Sequence, residues 1–76
     1  MSPKSEHEYL GRTIRITGHT AGAGWSAMIE VWEPGQDPGD HPGVIVPFRK
    51  RLPSEAEARA VALLAARKRI DQGVGR

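Results

Sequence analysis

The sequence contains no cysteine, which excludes disulfide bonds and thiolate-bound metals. No apolar run approaches the roughly 20 residues that a membrane-spanning helix requires. Residues 1–8 are polar and have no apolar segment typical of a signal peptide. These absences predict a cytoplasmic domain. Because the chain has only 76 residues and no covalent cross-link, it must be stabilised by packing or by a partner.

No arrangement of residues indicates catalysis or a cofactor. Ser26 falls in the middle of a predicted strand and Ser54 at a predicted helix start, and neither has a histidine placed to activate it. His41 follows Asp37 and Asp40, but this spacing matches no common pattern of metal ligands. We therefore predict no enzyme activity, no cofactor and no metal site.

The charges are distributed unevenly along the chain. Residues 1–40 contain three basic and six acidic residues, a net charge of −3. Residues 41–76 contain eight basic and three acidic residues, a net charge of +5. Such an asymmetry indicates either an anionic partner or two halves that face each other in the fold.

Alternating apolar and polar residues predict three β-strands, over residues 9–17, 25–33 and 43–51. The third is an edge strand or is interrupted at Pro47, because proline cannot donate a ladder hydrogen bond. Residues 1–8 are predicted to be a disordered tail. The side chains predicted to face the core are Ile14, Ile16, Trp25, Ala27, Ile29, Val31, Val44, Val46 and Phe48.

A helix is predicted over residues 55–71. Ser54 and Glu57 have the spacing of a capping box, and Gly73 is a typical helix stop. The positions predicted to form its apolar stripe are Ala56, Ala60, Leu63, Leu64 and Ile70.

A loop is predicted between the second and third strands. Residues 34–43 contain three Pro-Gly pairs, which are typical of a mobile loop.

The sequence thus predicts an α+β fold: a three-stranded antiparallel meander packed on one face by a C-terminal helix. A single domain covers residues 9–72, and residues 73–76 form a flexible C-terminus. Because one helix covers one face of the sheet, the other face is expected to be open.

We expect this open face to bind a protein partner or a second copy of the chain. Exposed apolar groups flanked by charge are typical of contact surfaces. The predicted partner-binding residues are Met28, Trp32, Ile45, Arg15 and Arg49. The competing interpretation is that Trp32 is covered by the N-terminal tail or by the Pro-Gly loop.

Nucleic-acid binding is the alternative function. Arg49, Lys50 and Arg51 are consecutive cations that could contact phosphate, with Arg15 across the sheet. The sequence has no recognisable RNA-binding or helix-turn-helix pattern to accompany them. A second basic run, residues 67–69, is explained by its position at the negative end of the helix dipole.

Four short motifs are spread over residues 9–71: Tyr9-x-Gly11-x-x-Ile14, Gly24-Trp25-x-Ala27, Ser54-x-x-Glu57-Ala58 and Ile70-Asp71. Together they resemble a group of small uncharacterised bacterial proteins. The motifs are structural, so the resemblance implies a fold and a bacterial source but no activity.

Two better-understood groups are similar at a distance. The Trp25-x-Ala27 strand followed by a Glu-Ala helix is similar to HicB-type antitoxins, but a second DNA-binding region is not recognisable, so antitoxin function is not implied. The β-β-β-α order resembles double-stranded RNA-binding domains, which place lysines at the start of the helix. Glu55 and Glu57 occupy that place here, which argues against RNA binding.

Overall fold

The computed structural model describes residues 5–73, which form a four-stranded antiparallel sheet covered on one face by one helix. The elements are β1 (Ser5–Tyr9), β2 (Arg12–Ala21), β3 (Gly24–Val31), β4 (Val44–Val46) and α1 (Glu55–Asp71). The strands lie in the order β1-β2-β3-β4, so each pairs with its neighbour in sequence. The α+β class and the C-terminal helix are as predicted, but the sheet has four strands and not three.

The additional strand, β1, comes from the segment predicted to be a disordered tail. It pairs with β2 from Ser5↔Ile16 to Tyr9↔Arg12. The connection is a two-residue turn in which Leu10 and Gly11 both have positive φ angles, 52° and 79°. Two such residues are typical of the tight hairpin turns whose twist matches that of the strands. Residues 1–4 of the predicted tail lie outside the described part of the chain.

The β2–β3 hairpin forms the centre of the sheet and most of the core. It extends to the Ala21↔Gly24 pair, so only residues 22 and 23 form the turn, and the two strands reach further toward each other than the predicted ranges 9–17 and 25–33. Its core-facing side chains are largely those predicted, but Trp25 is only half-buried. The buried apolar side chains of this hairpin are Ile14, Ile16, Ala27, Ile29 and Val31.

The strand predicted over residues 43–51 is shorter in the structure. Only Val44–Val46 pair with β3, and regular pairing ends at Pro47. Leu52 then returns to the sheet edge, where its backbone and that of Trp25 exchange two hydrogen bonds of 2.8 Å. Phe48 packs partly buried against the core, as predicted.

Helix α1 has the bounds and the N-terminal cap that the sequence predicts. Ser54 has extended backbone angles, and its hydroxyl accepts a hydrogen bond of 3.2 Å from the Glu57 amide. The hydroxyl also donates to the Glu57 carboxylate at 3.3 Å. At the other end the Gly73 amide donates to the carbonyl of Ile70, and Gly73 has a φ of 90°.

Replacement of Ser54 by alanine is expected to destabilise the domain by about 1 kcal/mol, because the amide of Glu57 loses its partner. The measurement is the urea midpoint of unfolding. Ser54→Thr, which keeps a capping hydroxyl, serves as the control and should lose less. An unchanged midpoint for Ser54→Ala would mean that the cap does not contribute to stability.

The stripe of α1 that faces the sheet is not the predicted one. Ala56 and Ala60 are exposed, and Leu64 is 64% exposed. Leu63 packs against the core as a partly buried residue. The buried stripe is Ala58, Ala62, Ala66 and Ile70, of which the sequence analysis predicted only Ile70. Because three of these four are alanines, the helix axis can lie close to the strands.

Side chains near the C-terminal end of α1 contact Tyr9 at the β1 edge of the sheet. The Tyr9 hydroxyl donates to the Asp71 carboxylate at 3.0 Å, and the Arg67 guanidinium lies 5.5 Å from the centre of the Tyr9 ring. The hydrogen bond to Asp71 raises the pKa of Tyr9 above its ordinary value. The contact is therefore intact at neutral pH and is lost as the pH rises through that raised pKa.

No helix among the residues that the structure describes is long and apolar enough to cross a membrane.

Candidate functional site

The open face of the sheet, turned away from α1, carries a row of three charged residues that ends at an isoleucine. Glu6, Arg15, Glu30 and Ile45 are in register across the four strands. Two nitrogens of Arg15, Nε and Nη2, donate to one Glu6 oxygen at 2.9 and 2.7 Å. The charge of Arg15 is therefore compensated by its neighbour within the sheet.

Trp32 lies on this face but is not exposed. It is 2% accessible, its Nε1–H donates to the carbonyl oxygen of His41 at 2.7 Å, and the Arg15 guanidinium lies 5.0 Å from its ring centre. Gly43 is in close contact with the ring: if this residue had a Cβ atom, it would lie only 2.9 Å from Cε2 of Trp32. The expectation of an exposed Trp32 is wrong. Of the two alternatives left open by the sequence, the structure shows the Pro-Gly loop covering the ring.

Met28 and Ile45 remain exposed on the open face, by 43% and 55%. Ile45 pairs with the charged Glu30, and Met28 pairs with Thr17. Without Trp32 these two side chains do not make the three-residue apolar patch that was expected. That this face binds a partner stays a prediction.

The predicted phosphate-binding cluster is divided among different surfaces. Arg49 and Lys50 are exposed and line a groove beside α1, whereas Arg15 is on the opposite face of the sheet. Arg51 lies over the β2–β3 turn, where a Cβ on Gly22 would be 3.5 Å from its Cζ. Arg49 therefore does not flank Arg15 as expected, and the role of Arg49, Lys50 and Arg51 in phosphate binding stays a prediction.

A groove with a volume of about 440 Å³ opens between α1 and the segment that follows β4. We call it the basic groove. Its lining consists of Pro47, Phe48, Arg49, Lys50, Val61, Leu64, Ala65 and Lys68. Its floor is apolar, and its charged side chains are all cations.

The basic groove exists because the chain leaves the sheet after β4. The pairs Ile29↔Val46 and Trp25↔Leu52 bracket three residues of β3, 26–28, but five residues on the opposite side, 47–51. Two extra residues cannot be accommodated in a regular ladder, so the segment bulges out of it. The bulge separates this segment from the regular ladder and places residues 47–50 opposite the flank of α1.

The electrostatics of the basic groove are one-sided. Arg49, Lys50 and Lys68 are exposed, and no carboxylate lines the groove. Within residues 5–73 the ion pairs are those of Arg12, Arg15 and Arg59, so none of the three groove cations is paired there. An uncompensated cluster of cations beside apolar surface favours an anionic ligand that also has an apolar part.

Most residues of this groove could not be recognised as a site from the sequence. Leu64 was assigned to the core, and Lys68 was explained by the helix dipole alone. The available signal was the spacing of Val61, Leu64, Ala65 and Lys68, which is i, i+3, i+4, i+7 and defines one side of a helix.

The serines considered for catalysis have structural roles or are inaccessible. Ser54 is engaged in the helix cap, and Ser26 is 6% exposed. In the described part of the chain, no group of three or more His, Asp or Glu side chains is placed to hold a metal ion.

Comparison with known proteins gave no match to a family model, to a curated protein or to a solved structure. The resemblances to small bacterial proteins, to antitoxins and to RNA-binding domains therefore stay predictions.

Proposed function

We propose that the protein is a small non-catalytic interaction domain, and that it binds an acidic segment of a partner protein in the basic groove. The observation that carries this proposal is the combination of an apolar floor with three cations that have no ion-pair partner among the described residues. Leu64, one of the apolar residues that line the groove, is 64% exposed.

The two parts of the groove have different energetic roles. Covering a leucine side chain such as Leu64 contributes roughly 1.5–3 kcal/mol, so the apolar floor supplies affinity. Exposed cations contribute less to affinity but accelerate association and exclude basic partners. The preferred ligand therefore has an apolar anchor side chain flanked by carboxylates.

The open face is a less well supported binding site than the basic groove. Its arginine is bound to Glu6, and its tryptophan is covered by the Pro-Gly loop. Nucleic-acid binding is also less well supported, because Arg15, Arg49 and Arg51 do not share a surface. Both alternatives are outcomes that the following experiment can detect.

The proposal is tested by titrating the ¹⁵N-labelled protein with a flexible peptide that contains one leucine between glutamates and glycines. We expect amide shifts to be concentrated at Phe48, Lys50, Leu64 and Lys68, and binding to weaken severalfold when the salt is raised to about 0.2 M. The double variant Arg49→Gln, Lys50→Gln should bind more weakly than the wild type. Arg69→Gln removes an exposed cation outside the groove and is the matched control.

Three results of this titration would contradict the proposal. Amide shifts centred on Met28 and Ile45 would show that the peptide binds to the open face instead. Stronger perturbation of the groove by a thymidine oligonucleotide than by the peptide would indicate nucleic-acid binding. No saturable shift at any residue would contradict the groove as a binding site for acidic segments.

A further inference from the structure

The side of α1 that lines the basic groove carries a second stripe, distinct from the stripe that packs on the sheet. Val61, Leu64, Ala65 and Lys68 repeat at the spacing by which one helix contacts another. We propose that the partner segment bound in the groove is an acidic amphipathic helix, and this inference rests on the function proposed above. The helix packs its apolar side on Leu64 and its carboxylates on the groove cations.

The dimensions of the groove fit a short helix. With a rise of 1.5 Å per residue, the distance along α1 from Val61 to Lys68 is about 10 Å, or two helical turns. Ala65 lies between the larger side chains of the stripe, and a small residue there allows a second helix axis to approach closely. A partner with apolar residues at i, i+3, i+4 and i+7 has an apolar side of the same two-turn length.

An extended segment added to the sheet fits less well. The edge strand β4 has only three paired residues, and Pro42 and Pro47 stand close to its two ends. At the opposite edge, β1 carries Glu6 and Glu8. Short length, proline and charge are the features by which natural sheet edges resist strand addition.

A second copy of the chain also fits less well. Two copies joined through this stripe would bring together two sets of Arg49, Lys50 and Lys68. The carboxylate one turn before Val61 belongs to Glu57, which accepts a hydrogen bond from the capping hydroxyl of Ser54. A self-association would therefore concentrate positive charge, whereas an acidic partner neutralises it.

The test compares two fluorescently labelled peptides of identical composition, each about 12 residues long, so that helix formation depends largely on binding. Both contain leucine, glutamate and alanine. One places leucines at i, i+3, i+4 and i+7, and the other places them at alternate positions. We expect the helical pattern to bind the full chain on the order of tenfold more tightly by fluorescence anisotropy, and to gain helical circular dichroism when bound.

Leu64→Gln should weaken binding of the helical-pattern peptide on the order of tenfold or more, because it removes the apolar contact without adding a charge that attracts the peptide. The matched control is Leu10→Gln, which makes the same change at a leucine that is 68% exposed and outside the groove. Urea unfolding of both variants verifies that they are folded. If both variants weakened binding equally, the peptide would not be bound in the groove, and the proposal would be wrong.

The failure of this inference is distinguishable from the failure of the proposed function. If both peptides bind in the groove with equal affinity, the function stands and the helical partner is wrong. If neither binds, the acidic ligand is wrong as well. If the wild type sediments as a dimer that Leu64→Gln dissociates, the occupant is a second copy and the acidic helix is overturned.

Discussion

Replacement of Trp32 by alanine is expected to destabilise the domain by about 3–5 kcal/mol. The side chain is 2% exposed and is held between the guanidinium of Arg15 and the backbone of Gly43. Its removal leaves a cavity beneath the Pro-Gly loop and takes away the donor for the His41 carbonyl. Because a domain of this size is typically stable by on the order of 5–10 kcal/mol, urea denaturation should show a large loss.

Two variants separate the causes of that loss. Trp32→Phe keeps a ring in place but removes the Nε1–H, so it should lose less than Trp32→Ala, with about 1 kcal/mol attributable to the hydrogen bond. Met28→Ala truncates an apolar residue on the same face that is 43% exposed, and should change stability by about 0.5 kcal/mol or less. If Trp32→Ala were as mild as Met28→Ala, the ring would not be covered in solution.

The covering of Trp32 shows where the sequence pattern stops being informative. Alternation along β3 correctly places Trp32 on the face opposite Ile29 and Val31, and alternation fixes only the side of the sheet. Whether that side is open depends on the path of residues 34–43. The path is set by a hydrogen bond from Trp32 to His41 and by close contact at Gly43. Neither contact produces a periodic signal.

Strand β1 was missed for a different reason. The segment Ser5–Tyr9 has the sequence SEHEY, without a β-branched residue and with Tyr9 as its only aromatic residue. Such a segment has little intrinsic preference for a strand. It becomes one because β2 presents an unpaired edge and because the turn at Leu10 and Gly11 reverses the chain. Tertiary context therefore overrides local preference.

The candidate groove depends on two features that a single sequence does not display. One is the register difference that makes residues 47–51 bulge from the sheet edge. The other is the rotation of α1 about its axis, which decides whether Leu64 faces the core or the solvent. The bounds of the helix could be predicted because its cap and stop are local signals. Its rotation could not, because alanines occur on nearly every side of it.

This rotation leads to the second large prediction: Ala62→Leu is expected to destabilise the domain by about 1–3 kcal/mol. Ala62 is fully buried in the same cluster as Ile16 and Ile29. A leucine there requires the helix to move away from the sheet or its neighbours to leave their preferred rotamers. Helix propensity is not the cause, since alanine and leucine are both strong helix formers.

Ala60→Leu provides the matched control. Ala60 is on the same helix but is exposed, so the added carbons extend into solvent and stability should change by about 0.5 kcal/mol or less. The comparison of the two urea midpoints therefore measures the rotation of α1. If Ala60→Leu were the destabilising variant and Ala62→Leu the neutral one, the stripe predicted from the sequence would face the sheet. Leu64 would then belong to the core, and the basic groove would lose its floor.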